Sequence, residues 1–212
     1  MTVQGTASAA TTSVTMPTHA AGDLLLVFLR RAANSVATPP ASGGTVPAWN
    51  VAQGAAANSL GLSSAWFLAT AANHTTGVWA NASHICVLVL RPGAGKTLGV
   101  AGSSTGNSAT STTMIYPLLT LSTLAGTSWG VRCGTRTGTS TAIATAPTAW
   151  TNQIVQPAGS SAVIAVHTRA GLTGNPVDDT VTIGGTATAS RAHTLEVTET
   201  GAATQQPVAA II

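Results

Sequence analysis

Three apolar runs constrain this chain most: Leu24–Leu29 (LLLVFL), Ile85–Leu90 (ICVLVL) and Ala162–His167 (AVIAVH). Each is far shorter than the roughly 20 apolar residues a membrane-spanning helix needs. Each is continuous, whereas a strand with one wet face would alternate. Runs of this length, rich in β-branched residues and bounded by turn formers, read as strands covered on both faces. One cover is expected to be a second sheet. The other is expected to be a neighbouring element or a neighbouring subunit.

The rest of the chain follows the same pattern. Further strands are expected at Ser64–Thr70, His84–Leu90, Leu118–Leu121, Ser128–Cys133, Thr180–Ile183 and His193–Thr198. Between them stand breakers: Pro39-Pro40, Gly43-Gly44, Pro92-Gly93, Gly171 to Pro176 and Gly184-Gly185. No segment carries a convincing helical period. The expected fold is therefore all-β, a single domain over residues 1–212 built as a jelly-roll-like sandwich of antiparallel strands. Residues 1–12 are expected to form an N-terminal arm. Residues 99–113, almost wholly Gly, Ser, Thr, Ala and Asn, are expected to form an extended loop. A faint echo is also present. Asp23 to Trp49 runs strand, Arg, small-polar loop and Pro-Ala-Trp, and Ser128 to Trp150 repeats that order, ending in Ala-Pro-Thr-Ala-Trp.

Charge is scarce, at 6% of residues against about 25% in ordinary globular domains. A surface with little charge repels its neighbours weakly, which suits assembly. The arginines are scattered except for Arg30-Arg31, without the basic stripe of a nucleic-acid binder, so no nucleic-acid partner is expected. Aromatic girdles of a membrane barrel are missing, and the N-terminal residues do not read as a secretory signal. The chain is expected to be made in a cytoplasm, with no membrane partner. Cys86 and Cys133 are then expected to be reduced, buried thiols behaving as small hydrophobes.

Candidate chemistry is thin. Pro92–Thr97 resembles a phosphate-binding loop, but the required first glycine is Leu90 and no helix can follow. His84 and Cys86 share a strand face and would supply two metal ligands at most. The other histidines, His19, His74, His167 and His193, form no ligand spacing. Asp178-Asp179 reads as loop solvation or a calcium site helped by backbone carbonyls, and Asp23 as a turn carboxylate accepting backbone amides. No nucleophile elbow or cysteine–histidine signature is present, so no catalytic residue, cofactor or metal is expected. Five tryptophans remain. Trp66 and Trp129 sit inside strands and read as core, whereas Trp79 and Trp150 border loops and are candidates for stacking on a glycan or contacting a partner.

Several stretches resemble small virion structural proteins of tailed bacteriophages. They are MPTHAAGDLLLVFL (Met16–Leu29), TPPASGGTVPAWN (Thr38–Asn50), SAWFLATAANHTTGVW (Ser64–Trp79), LRPGAG (Leu90–Gly95) and TRAGLTGNPVDDTVTI (Thr168–Ile183). Residues around Gly43–Val46 lengthen the loop before Trp49 relative to that pattern. The resemblance carries no catalytic residues. It implies a role in the particle. With the charge-poor, apolar composition the expectation is a non-enzymatic capsid decoration or cement protein, located in the virion, with the major capsid protein and sister copies as partners, the copies taken as a trimer from the usual symmetry of such assemblies. The alternative is a tail or fibre component that binds host glycans. A secreted adhesin or surface-layer module and an enzyme rank behind these.

Overall fold

The computed structural model of the chain describes residues 1–137, 146–158, 162–182 and 187–201. These residues form twelve strands and no helix. They are β1 (Thr2–Ala9), β2 (Leu24–Arg31), β3 (Asn50–Ala57), β4 (Leu60–Leu68), β5 (His84–Arg91) and β6 (Lys96–Ser111). Next come β7 (Thr113–Tyr116), β8 (Ser128–Thr137), β9 (Thr151–Ala158), β10 (Ala162–Leu172), β11 (Asp179–Thr182) and β12 (Thr188–Gly201). Two five-stranded antiparallel sheets, ordered β1-β5-β2-β4-β3 and β6-β12-β8-β10-β9, pack face to face, with a β7·β11 ribbon outside the second.

The all-β sandwich agrees with the sequence reading, but the topology is not the interleaved one expected of a jelly roll. Every strand of the first sheet precedes every strand of the second, and the chain crosses between them once, at Arg91–Lys96. Counted within each half, and setting the ribbon aside, both sheets have the same order: first, fifth, second, fourth, third. The two halves are topological repeats. Across the sandwich β1 lies near β9, β5 near β10, β4 near β12 and β3 near β6. This is the arrangement produced by a pseudo-two-fold axis running along the central strands. The sequence echo falls in register with it: Trp49 directly precedes β3 and Trp150 directly precedes β9.

The continuous apolar runs are explained by layering. Leu24, Leu26, Phe28, Cys86, Leu88 and Leu90 face Val131, Cys133, Ile164, Val166, Leu195 and Val197 between the sheets. Their alternates Leu25, Val27, Leu29, Ile85, Val87 and Val89 face outward and pack under Ala37, Trp79, Val14, Met16 and Trp49 from the first half's own loops. On the outside of the second sheet Met114 and Tyr116 of the ribbon cover Ala165 and Ala192. The second cover is therefore intramolecular. Burying a side chain such as Leu26 or Phe28 completely stabilises by roughly 1.5–3 kcal/mol, and the outward-facing Leu25, Val27, Leu29, Ile85, Val87 and Val89 are apolar for the same reason, with the charged Arg31 and Arg91 only at the strand ends.

Two sequence expectations are corrected. Residues 1–12 are not an arm, because Thr2–Ala9 pairs with Arg91–Ile85 as an edge strand. Residues 99–113 are not a loop, because Lys96–Ser111 pairs with Gly201–Thr188 along its length. Small side chains there leave backbone pairing as the main adhesion. Side-chain bonds stitch the open edges, Ser8 Oγ to Gln156 Oε1 at 2.7 Å and Gln53 Nε2 to Ser103 Oγ at 3.2 Å. Leu118–Leu121 lies outside any strand, and Ile183 and Gly184-Gly185 fall outside the described residues.

Gly61 tests the tightness of the outer cover. A Cβ there would collide with the backbone carbonyl oxygen of Ser35, while one at Gly99 meets nothing within 4 Å. Gly61→Ala is expected to destabilise by at least the usual overpacking cost of about 1–3 kcal/mol. Gly99→Ala should leave the urea midpoint nearly unchanged. Equal midpoints for the two variants would contradict this packing.

Candidate functional site

A cleft of about 450 Å³ opens on the outer side of the first half. One wall is Val14–His19, from the β1–β2 connection, and the other is Ala72–Thr75, from the β4–β5 connection. Asp23 holds the base of the first wall. Its carboxylate accepts the Ala20 amide at 2.8 Å and a bidentate pair of bonds from Arg91 at 2.8 and 2.7 Å. Burial alone would raise this carboxyl's pKa, but the Arg91 and Ala20 hydrogen bonds outweigh it and hold the group below its ordinary value. Gly22, at φ 90°, makes the turn into β2, with its N–H donating to the Ala69 carbonyl at 2.7 Å.

Thr76 joins the two walls. Its hydroxyl donates to the Val14 carbonyl at 3.0 Å and accepts from the Val14 amide at 3.2 Å. Its carbonyl accepts the indole N–H groups of both Trp49 and Trp79, at 3.2 and 3.1 Å. At the far end His19 Nδ1 donates to the Pro17 carbonyl while Nε2 accepts the His74 amide at 3.2 Å. The His19 and His74 rings stack at 5.8 Å. His74 Nε2 accepts the Thr70 and Ala71 amides, so its hydrogen sits on Nδ1, which is buried without a partner. Between these anchors the amides of Thr15, Met16 and Thr18 make no hydrogen bond to a described residue. The cleft thus offers amide donors, hydroxyls and a histidine stack between walls tied together at Thr76 and at His19.

Trp79 and Trp150 do not line it. Trp79 is 1% exposed beneath the covering loops, and Trp150 is 7% exposed. The Trp150 ring lies over the Arg132 guanidinium at 4.2 Å and against Gly130. Neither indole offers a face to a sugar, because each fills the outer cover of its sheet. Trp66 and Trp129, expected in the core, are half-buried at its margin.

The remaining candidates are occupied structurally. Asp178 accepts the Leu118 amide at 2.6 Å, and Asp179 pairs with Arg132. These two carboxylates thus serve different partners rather than one cation. Gly93 of the phosphate-loop decoy donates its N–H to Glu199 at 2.6 Å, and a carboxylate in that position repels phosphate. Among the described residues no three His, Cys, Asp or Glu side chains gather where a metal ion could bind. Cys86 and Cys133 are free and buried, and burial pushes both thiols well up. Sequence reasoning missed the buried polar layer outside the second sheet. There Tyr116 bonds His167 at 2.9 Å, and Glu196 accepts from Ser128 at 2.6 Å and from Ser122. Gly130 and Gly134, flanking Arg132 on one strand face, were its available signal.

Comparison with known protein families, curated proteins and solved structures gives no match.

Two predictions follow from these groups. Thr76→Val strands the half-buried amide and carbonyl of Val14 and should cost about 1–3 kcal/mol, read as a lower urea midpoint; an unchanged midpoint would remove Thr76 from its joining role. Burial lowers the His193 pKa to about 3, and burial followed by the Arg30 charge lowers that of His84 to about 4. The unfolded chain takes up these protons near pH 6.5 and the folded chain does not, so stability falls as pH drops from about 6.5 toward 4. In His193→Gln that fall should be shallower by up to about 1.4 kcal/mol per pH unit, and superimposable curves would count against it.

Proposed function

We propose that this chain is a non-enzymatic structural protein of a virus particle, of the tailed-bacteriophage kind, that decorates the capsid and cements neighbouring subunits. The observation that carries the reading is the distribution of charge. Of eight basic and five acidic side chains, Asp23, Arg30, Arg132, Arg136, Arg191 and Glu196 are buried. Few charges are left to keep copies apart. Exposed apolar side chains lie on both outer covers, with Val36, Val51 and Val78 on the first half and Ile115, Leu118, Leu124 and Val177 on the second. A body with an apolar contact on each side can bridge two neighbours.

The mechanism is passive. Contacts of about 25 cal/mol per Å² of apolar surface, repeated over many copies, oppose expansion of the shell. The partners are the major capsid protein and sister copies, the latter arranged as a trimer by the usual closed symmetry of such assemblies. The protein is made in the host cytoplasm and resides in the virion. Burial of Trp79 and Trp150 leaves the glycan-binding alternative without the residues that suggested it.

Gold-labelled antibody to this chain should decorate the heads of purified particles densely and regularly. Leu118→Asp and Val78→Asp should each lower incorporation about tenfold, corresponding to roughly 1.4 kcal/mol of contact, with unchanged thermal midpoints. Label confined to tails, or particles without label, would overturn the cement reading.

A further inference from the structure

The two halves can be compared as copies of one unit, and the comparison singles out the cleft. In each half the first-to-second and fourth-to-fifth connections run side by side over the outer face of their own sheet. In the second half they are joined from Thr113 to Leu121. Thr113–Tyr116 pairs with Thr182–Asp179, and the join continues beyond the ribbon. The Leu118 amide donates to Asp178 Oδ1 at 2.6 Å, the Leu119 amide to the Pro176 carbonyl at 3.0 Å and the Leu121 amide to Asn175 Oδ1 at 2.9 Å.

In the first half the same join begins and then stops. The Trp79 amide donates to the Thr12 carbonyl at 2.8 Å, and Thr76 bonds Val14 through its side chain. Past that point Thr15–Thr18 and Ala72–Thr75 separate into the two walls of the cleft. They correspond in order to 117–120 and 175–178. Among the described residues the acceptors that Asn175, Pro176 and Asp178 supply in the second half have no counterpart here, and the amides of Thr15, Met16 and Thr18 make no hydrogen bond to a described residue. The volume of about 450 Å³ lies in the range of ligand-sized clefts, roughly 300–1,000 Å³.

We propose that the cleft is a docking groove for an extended peptide segment carrying Asp or Asn side chains. Lying between Thr15–Thr18 and Asn73–Thr75, it supplies the first half with the acceptors that Asn175–Asp178 supply within the second. Main-chain and side-chain oxygens of the ligand accept from the free amides, and Met16 and Pro17 give apolar contact. The stacked His19 and His74 rings, fixed by their own hydrogen bonds, close one end, so the groove is formed before the ligand arrives. This inference is independent of the particle assignment.

The test uses the full chain, labelled with ¹⁵N and titrated with a capped peptide copying Gly174–Asp179 (GNPVDD). The expected result is saturable shift changes confined to residues 14–19 and 72–75. The same peptide with alanine at its Asn and both Asp positions should bind at least tenfold more weakly. Thr18→Trp, which fills the groove from an exposed position, should abolish the changes, and Asn73→Trp provides a second such variant. No shifts at low-millimolar peptide, equal binding of the alanine peptide, or shifts elsewhere on the surface would overturn the proposal. So would methyl glycosides shifting these residues where the peptide does not, an outcome that would assign the groove to sugars.

Discussion

From Leu24 to Leu29 and from Ile85 to Leu90 the side chains of β2 and β5 are apolar on both faces, so these strands are stable only where two layers cover them. The opposite sheet supplies one layer, and loops from the same half of the chain supply the other. That double burial accounts for the long connections before and after β2 and after β4, which are not slack but the outer layer of the fold. It also accounts for where tryptophan goes. Trp49, Trp79 and Trp150 are the large pieces of these covers, and their indoles are used in packing before any ligand could claim them.

The second half solves the same problem with polar chemistry. Its outer face carries Arg132, flat between Gly130 and Gly134, under the Trp150 ring at 4.2 Å and the Tyr116 ring at 5.5 Å. A buried guanidinium is costly unless it is paired. Asp179 and the Val177 carbonyl meet that need, the latter at 2.7 Å, and both come from the segment that covers it. The cover is therefore tied down by the charge it shields. In the first half Thr76, with two neutral hydrogen bonds, sits at the corresponding joint. Beyond that joint the two connections part into the walls of the cleft, where their counterparts in the second half stay bonded.

Much of this was legible. The continuous runs announced strands buried on two sides, and the Trp49 and Trp150 echo marked the two repeats. The strands that escaped notice are edges or covers: β1, β3, β6, β7 and β9. In TVQGTASA or KTLGVAGSSTG backbone pairing to one neighbour does the holding, and small polar side chains write no pattern into the sequence. Strand order was equally hidden, since alternation says which face is buried and not which strand lies beside it. The cleft could not be read at all. It exists because two segments about 55 residues apart part company where their counterparts in the other half meet.

The account rests on two repeats sharing one core, with neither sheet able to persist alone. Native-state hydrogen exchange on the full chain tests this directly. The amides of β2 and β5 and those of β8 and β12 should exchange last, all at one free energy equal to that of global unfolding. If one set exchanges at a markedly lower free energy while the other remains protected, the halves are separable units and the shared-core account fails.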